Sequence, residues 1–103
     1  MNKIYKYELK IEDGPQVLQL PVHIRSFRGR VAEQHEKIML WARIYPNYPP
    51  SKFTFYVFGT GHNIDDALDI IWLDTIIMTN GLVWHIFMEN PNLNQEVYDS
   101  SKM

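Results

Sequence analysis

The chain predicts an all-β domain of about seven short antiparallel strands, folded as a small sandwich or open barrel and followed by a polar C-terminal tail. Two observations carry this expectation. Apolar and polar residues alternate at period two along most of the sequence, and clusters of Gly, Pro, Asn and Asp interrupt it at short intervals. At 103 residues there is room for one domain, expected over residues 1–88, with a loosely ordered tail over 89–103. The composition, 46% apolar and 14% aromatic, supplies ample core material and is far from that of a disordered chain.

The first strand is read from Tyr5, Tyr7, Leu9 and Ile11 on one face and Lys6, Glu8 and Lys10 on the other. Asp13-Gly14-Pro15 then punctuates, and a short strand over 16–20 is expected to return as a first hairpin. A third strand over 23–31, a polar turn in "AEQHE" and a fourth strand "KIMLWARIY" form a second hairpin. In "PNYPPS" three prolines in five positions remove donors and restrict their predecessors, so this is a loop. A fifth strand over 52–58 is so aromatic that both of its faces should be covered, as in the middle of a sheet or at a subunit contact. "IDDALD" is too short for an ordinary helix and reads as turn. Finally, "DIIWLDTIIM" and "LVWHIFM" flank Thr79-Asn80-Gly81, where Asn-Gly favours a tight primed turn. Beyond Glu89 the chain is polar, and only Val97 and Tyr98 offer apolar groups that can dock.

Bulk chemistry excludes several classes. A net charge of −2, from twelve acids and ten bases, makes no long-range positive field for duplex nucleic acid. Cysteine is absent, which removes disulfides, thiolate nucleophiles and cysteine-bearing zinc sites and is compatible with a reducing cytosol. The N-terminus has no apolar run of signal-peptide length, and the stretch 70–78 is far shorter than the ~20 residues of a membrane helix, so a soluble protein is expected. The four histidines, His23, His35, His62 and His85, show no ligand spacing, and His85, inside a strand, reads as a ring satisfied locally; no metal and no cofactor are expected. Without a nucleophile elbow, and with Asp65-Asp66 better read as solvated turn residues than as a proton-transfer pair, no enzyme is expected.

Binding chemistry is more visible. Arg28 and Arg30, two apart, share a strand face and can form a guanidinium fork for phosphate or carboxylate, with Arg25 nearby and Arg43 on the partner strand. A charged edge strand is the plainer reading of the same residues. On the fourth strand Ile38, Leu40, Ala42 and Ile44 make the core side, leaving Trp41, Arg43 and Tyr45 as a row that can stack on and neutralise a nucleotide, or pack in an interface. Gly59-Thr60-Gly61-His62, at a strand end, can bring backbone amides, a hydroxyl and an imidazole to an anion, or can simply form a turn. It lacks the Lys-Ser/Thr of a P-loop and the third glycine of a dinucleotide fingerprint.

The segments "IYKYEL", "MLWARIYP", "FYVFGTGHNI" and "GLVWHIF", in this order and spacing, resemble those of a family of small phage and prophage proteins best known as a domain of unknown function. The resemblance covers residues 3–88; the chain departs from it in the basic segment 25–36 and after Glu89. It implies a bacteriophage source and action in the host cell cytoplasm. Such a chain is similar, as a class and not residue by residue, to anti-CBASS sponges, which implies sequestration of a cyclic dinucleotide immune signal by a homo-oligomer. That ligand needs donors for two phosphates and flat side chains for two bases, and Trp41, Arg43, Tyr45, Gly59, Thr60, Gly61 and His62 are the positions assigned, with Arg28 and Arg30 as a secondary basic site. Two alternatives stay open: an inhibitor or accessory protein that binds a host defence or virion protein through an aromatic, arginine-bearing surface, and a single-strand nucleic-acid binder.

Overall fold

The computed structural model of the chain describes residues 1–91. Its strands are β1 (Lys3–Leu9), β2 (Gln16–Leu20), β3 (Gly29–Gln34), β4 (Lys37–Ile44), β5 (Ser51–Gly59), β6 (Ile70–Ile77) and β7 (Val83–Glu89). They form two antiparallel sheets, one ordered β1-β4-β3 and the other β2-β5-β7-β6, which decides the expected alternatives in favour of an open sandwich without barrel closure. The core lies between the sheets. Ile38, Leu40, Ala42 and Ile44 of β4 are buried with Phe53, Phe55 and Val57 of β5, Ile86 and Met88 of β7, and Leu9, Leu20 and Val31. The aliphatic row read from the fourth strand is therefore the core side.

Three local expectations are corrected. Residues 3–9 and 16–20 do not form a hairpin: β1 pairs with β4 (Tyr5 opposite Ala42) and β2 with β5 (Leu18 opposite Phe53), so the chain crosses between sheets at 10–15. The Gln16 side chain holds that crossing by accepting from Lys10 N at 2.7 Å and donating to Lys10 O at 2.5 Å. The third strand starts at Gly29 instead of residue 23, because a 3₁₀ turn over Ile24–Ser26, capped by His23 Nδ1, takes up the start of the segment. Phe27 behind it packs on Phe53 and Phe55, with ring centroids 5.3 and 6.2 Å away.

The third correction concerns the Asn-Gly pair. Gly81 N donates to Met78 O and Met78 N to Leu82 O, and Gly81 has φ +92° while Asn80 stays at negative φ. This is a turn followed by a glycine bulge, in place of the primed two-residue turn. The primed geometry appears at the β3–β4 hairpin instead, where His35 and Glu36 both hold positive φ, 53° and 64°. "IDDALD" is a turn, as read, with Leu68 N bonded to Asp65 O.

The chain changes sheet twice more, at 21–28 and 45–50, and a side-chain contact ties the sheets at the edges formed by β3 and β6. Thr79 donates its backbone N and its hydroxyl to the Glu33 carboxylate, each at 2.7 Å, and so ties β3 to the β6–β7 hairpin. The aromatic fifth strand sits inside its sheet, between β2 and β7, and Asn90, just past β7, bonds to Asp69. Val97 and Tyr98 lie outside the described residues.

Two outcomes test this architecture. Phe55→Ala, which empties a fully buried position, is expected to cost about 3–5 kcal/mol in urea unfolding. The pair His35→Asn and Glu36→Gly, which suits residues to the left-handed backbone already present, is expected to raise stability by about 1–2 kcal/mol in the same measurement.

Candidate functional site: an arginine groove and a histidine-centred turn

Strand parity places Ile4 and Lys6 of β1, Trp41 and Arg43 of β4 and Arg30 of β3 on the outer face of the three-stranded sheet, with Arg30 directly opposite Trp41 and Ile4 opposite Arg43. Arg28 precedes β3, and its carbonyl accepts from Arg43 N at 3.0 Å, which extends the ladder and brings a third guanidinium to the same place. Ile4, Arg28, Gly29, Arg30, Trp41 and Arg43 line a groove of about 460 Å³. Its lining contains no carboxylate. Arg43 Nε donates to Asn2 Oδ1 at 2.9 Å, and Arg28 Nη1 to the Phe27 carbonyl at 2.8 Å. Among the described residues the salt bridge is Lys37 to Glu8, at 3.8 Å, so none of these arginines is neutralised by an acid. Tyr45 leaves the row: its N–H donates to Pro21 O and its ring packs toward the core, while the Arg43 guanidinium stays 5.7 Å from the ring centroid. Arg25 sits on the 3₁₀ turn, outside the groove lining.

Gly59, Thr60, Gly61 and His62 lie elsewhere, at the end of β5 in the other sheet, so the assigned residues divide between two places instead of forming one site. His62 folds back over Gly59. Its Nδ1 accepts from Gly59 N at 3.0 Å, and its own N–H donates to Gly59 O at 3.1 Å. A Cβ on Gly59 would stand 2.9 Å from the imidazole, and Gly61 holds φ +88°, so both glycines are required by the turn itself. The Thr60 hydroxyl meets His85 Nε2 at 2.8 Å, while His85 Nδ1 meets the Thr75 hydroxyl at 3.0 Å and the Trp72 indole N–H donates to that hydroxyl at 3.1 Å. The hydroxyl protons can rotate to suit either imidazole tautomer. His85 is thus satisfied locally, as its place in a strand implied.

The open side of this turn is acidic. His62 is the common wall of two adjoining clefts of about 570 and 220 Å³, the first also lined by Asp13, Phe58 and Asn63 and the second by Glu12, Asp13, Val57 and Trp84. His62 and Trp84 meet edge to face at 6.3 Å, and the buried Trp84 indole N–H has no hydrogen-bond partner. With Gly59 N, His62 N and the Thr60 hydroxyl already engaged and two carboxylates alongside, the turn is poorly suited to hold a phosphate. Sequence reading missed Thr75 and Trp72, and the one signal for the cluster was that "FYVFGTGHNI" and "GLVWHIF" both stood out as segments. Among the described residues, no three His, Cys, Asp or Glu side chains are grouped to hold a metal ion, and no helix is long and apolar enough to cross a membrane.

Fold and site together define a two-sheet antiparallel β protein with a cationic groove on one outer face and a hydrogen-bonded histidine cluster on the other sheet. The chain belongs to the family described as a domain of unknown function (DUF7352), whose model matches residues 1–96. Neither a curated protein nor a solved structure matches it.

The contact between Gly59 and His62 gives a double-mutant test. Gly59→Ala is expected to cost about 1–3 kcal/mol in urea unfolding, because the methyl group displaces the ring. In a His62→Ala background the same change should cost less than about 1 kcal/mol.

Proposed function

We propose that this protein is a non-catalytic binding protein that sequesters an anionic ligand carrying flat rings, of the cyclic dinucleotide class, on the outer face of the three-stranded sheet. The observation that carries this reading is the convergence of Arg28, Arg30 and Arg43 around Trp41 in a groove without carboxylates. Guanidinium groups match phosphate oxygens with paired donors, and an indole face beside them stacks a base. The resemblance to small phage proteins supplies the setting: removal of an immune signal inside the infected cell's cytoplasm. In this reading Arg28, Arg30 and Arg43 hold phosphate, Trp41 stacks, Tyr45 supports Arg43, and Gly59 to His62 shape a turn.

A thermal-shift panel of cyclic and linear nucleotides tests it. A cognate ligand at a hundredfold its dissociation constant should add about 2.7 kcal/mol of stability, a shift of roughly ten degrees or more for a domain of this size. Trp41→Ala and Arg30→Glu should each abolish the shift while leaving the unliganded melting temperature within a few degrees. A flat panel overturns the nucleotide reading and favours an acidic protein surface as the occupant of the same groove.

A further inference from the structure

The outer face of the four-stranded sheet has the opposite character. Strand parity directs Tyr56 and Phe58 of β5, Phe87 of β7 and Trp72 of β6 outward, with Tyr56 and Trp72 both opposite Phe87. Lys52 and Glu89, the charged side chains that share this parity, line one groove together at the edge of the face. Between them and the far end of the strands lies His85, whose nitrogens meet Thr60 and Thr75, and no Lys, Arg, Asp or Glu shares the parity there. Trp72 is 64% exposed, Ile77 74% and Val17 50%. Thr54, Thr75 and His85 share this parity, and the apolar residues gathered around them mark an interaction site.

We infer that this face is the contact between two copies of the chain, packed sheet on sheet across a two-fold axis. Three observations select that occupant. First, the rings form one packed array: Tyr56 lies parallel to Phe58 at 6.0 Å with 3° between planes and Trp72 to Phe87 at 5.8 Å with 13°, while Phe58 meets Phe87 edge to face at 5.6 Å. A nucleic-acid strand needs cations along its path, and Lys52, the cation of this parity, stands at the edge in the same groove as Glu89. Second, a neutral face can meet its own copy without like-charge opposition. The outer face of the other sheet cannot, because Lys6, Arg28, Arg30, Lys37 and Arg43 outnumber Glu8 there. Third, the size fits. Four strands about 4.8 Å apart, each about seven residues at 3.4 Å, project roughly 460 Å². Two such faces come to about 900 Å² in flat projection, and side-chain relief carries the accessible area past the ~1,000 Å² of a specific interface.

The arrangement leaves both arginine grooves on the outside of the dimer, so each copy keeps a complete groove of its own and self-association does not depend on ligand. Sedimentation equilibrium of the wild-type chain at micromolar concentrations should give twice the 12.2 kDa chain mass. Tyr56→Lys and Ile77→Lys should each weaken the dimer at least about tenfold, as expected for charges placed within a desolvated interface. Ala32→Glu, an exposed position on the opposite face, should leave it intact. Ile77 is exposed in the single chain and belongs to the proposed contact face without supporting the core, so its variant keeps the test valid if the one at Tyr56 fails to fold. A wild-type chain that sediments as a monomer, or a dimer that Ile77→Lys leaves unchanged, overturns the inference.

Discussion

The structure depends on one constraint: β4 and β5, interior strands of opposite sheets, must turn their apolar rows toward each other. Leu40, Ala42, Ile44, Phe53 and Phe55 are all buried in one cluster, and a fully buried Leu, Ile or Phe side chain contributes about 1.5–3 kcal/mol by leaving water. Because side chains alternate strictly along a strand, seating these residues inward leaves no choice about their neighbours. Trp41 and Arg43 must then face outward from one sheet, and Thr54, Tyr56 and Phe58 from the other. The two exterior surfaces are consequences of the core.

Those surfaces divide the chemistry of the chain. A net charge of −2 conceals a cationic sheet face and acidic loops, with Glu12 and Asp13 beside His62 and Asp65, Asp66 and Asp69 farther along. Cations grouped without acid partners retain their attraction for anions, and aromatic residues grouped without charge retain theirs for another apolar surface. The proposed ligand groove and the proposed self-contact therefore lie on different faces. Distances between the two faces are set by the sandwich.

The Gly-Thr-Gly-His segment has a structural explanation. Gly59 gives space to the His62 ring, Gly61 supplies the left-handed turn, and Thr60 reaches across to His85 on β7. His85 in turn is held by Thr75 on β6, so one imidazole joins the end of β5 to two further strands. A motif that looks suited to a ligand by its residue types is here engaged with its own sheet.

Strand positions other than the start of β3, the core side of β4 and the presence of a turn at 59–62 were legible in the sequence, because alternation and glycine placement act over a few residues. The outward pairing of Trp41 with Arg43 followed from the same local rule. Partner choice did not. Nothing near residues 3–20 says that β1 joins β4 and β2 joins β5, since that depends on which sheet buries each strand's apolar face most fully, a property of contacts far apart in sequence. The same applies to the site: Arg28, Arg30 and Arg43 gather only when β3 and β4 align. Thr60 meets His85 only through the β5–β7 register. The sequence alone determined which residues point the same way; the tertiary structure decided which of them meet, because register is set by packing between strands and not within them.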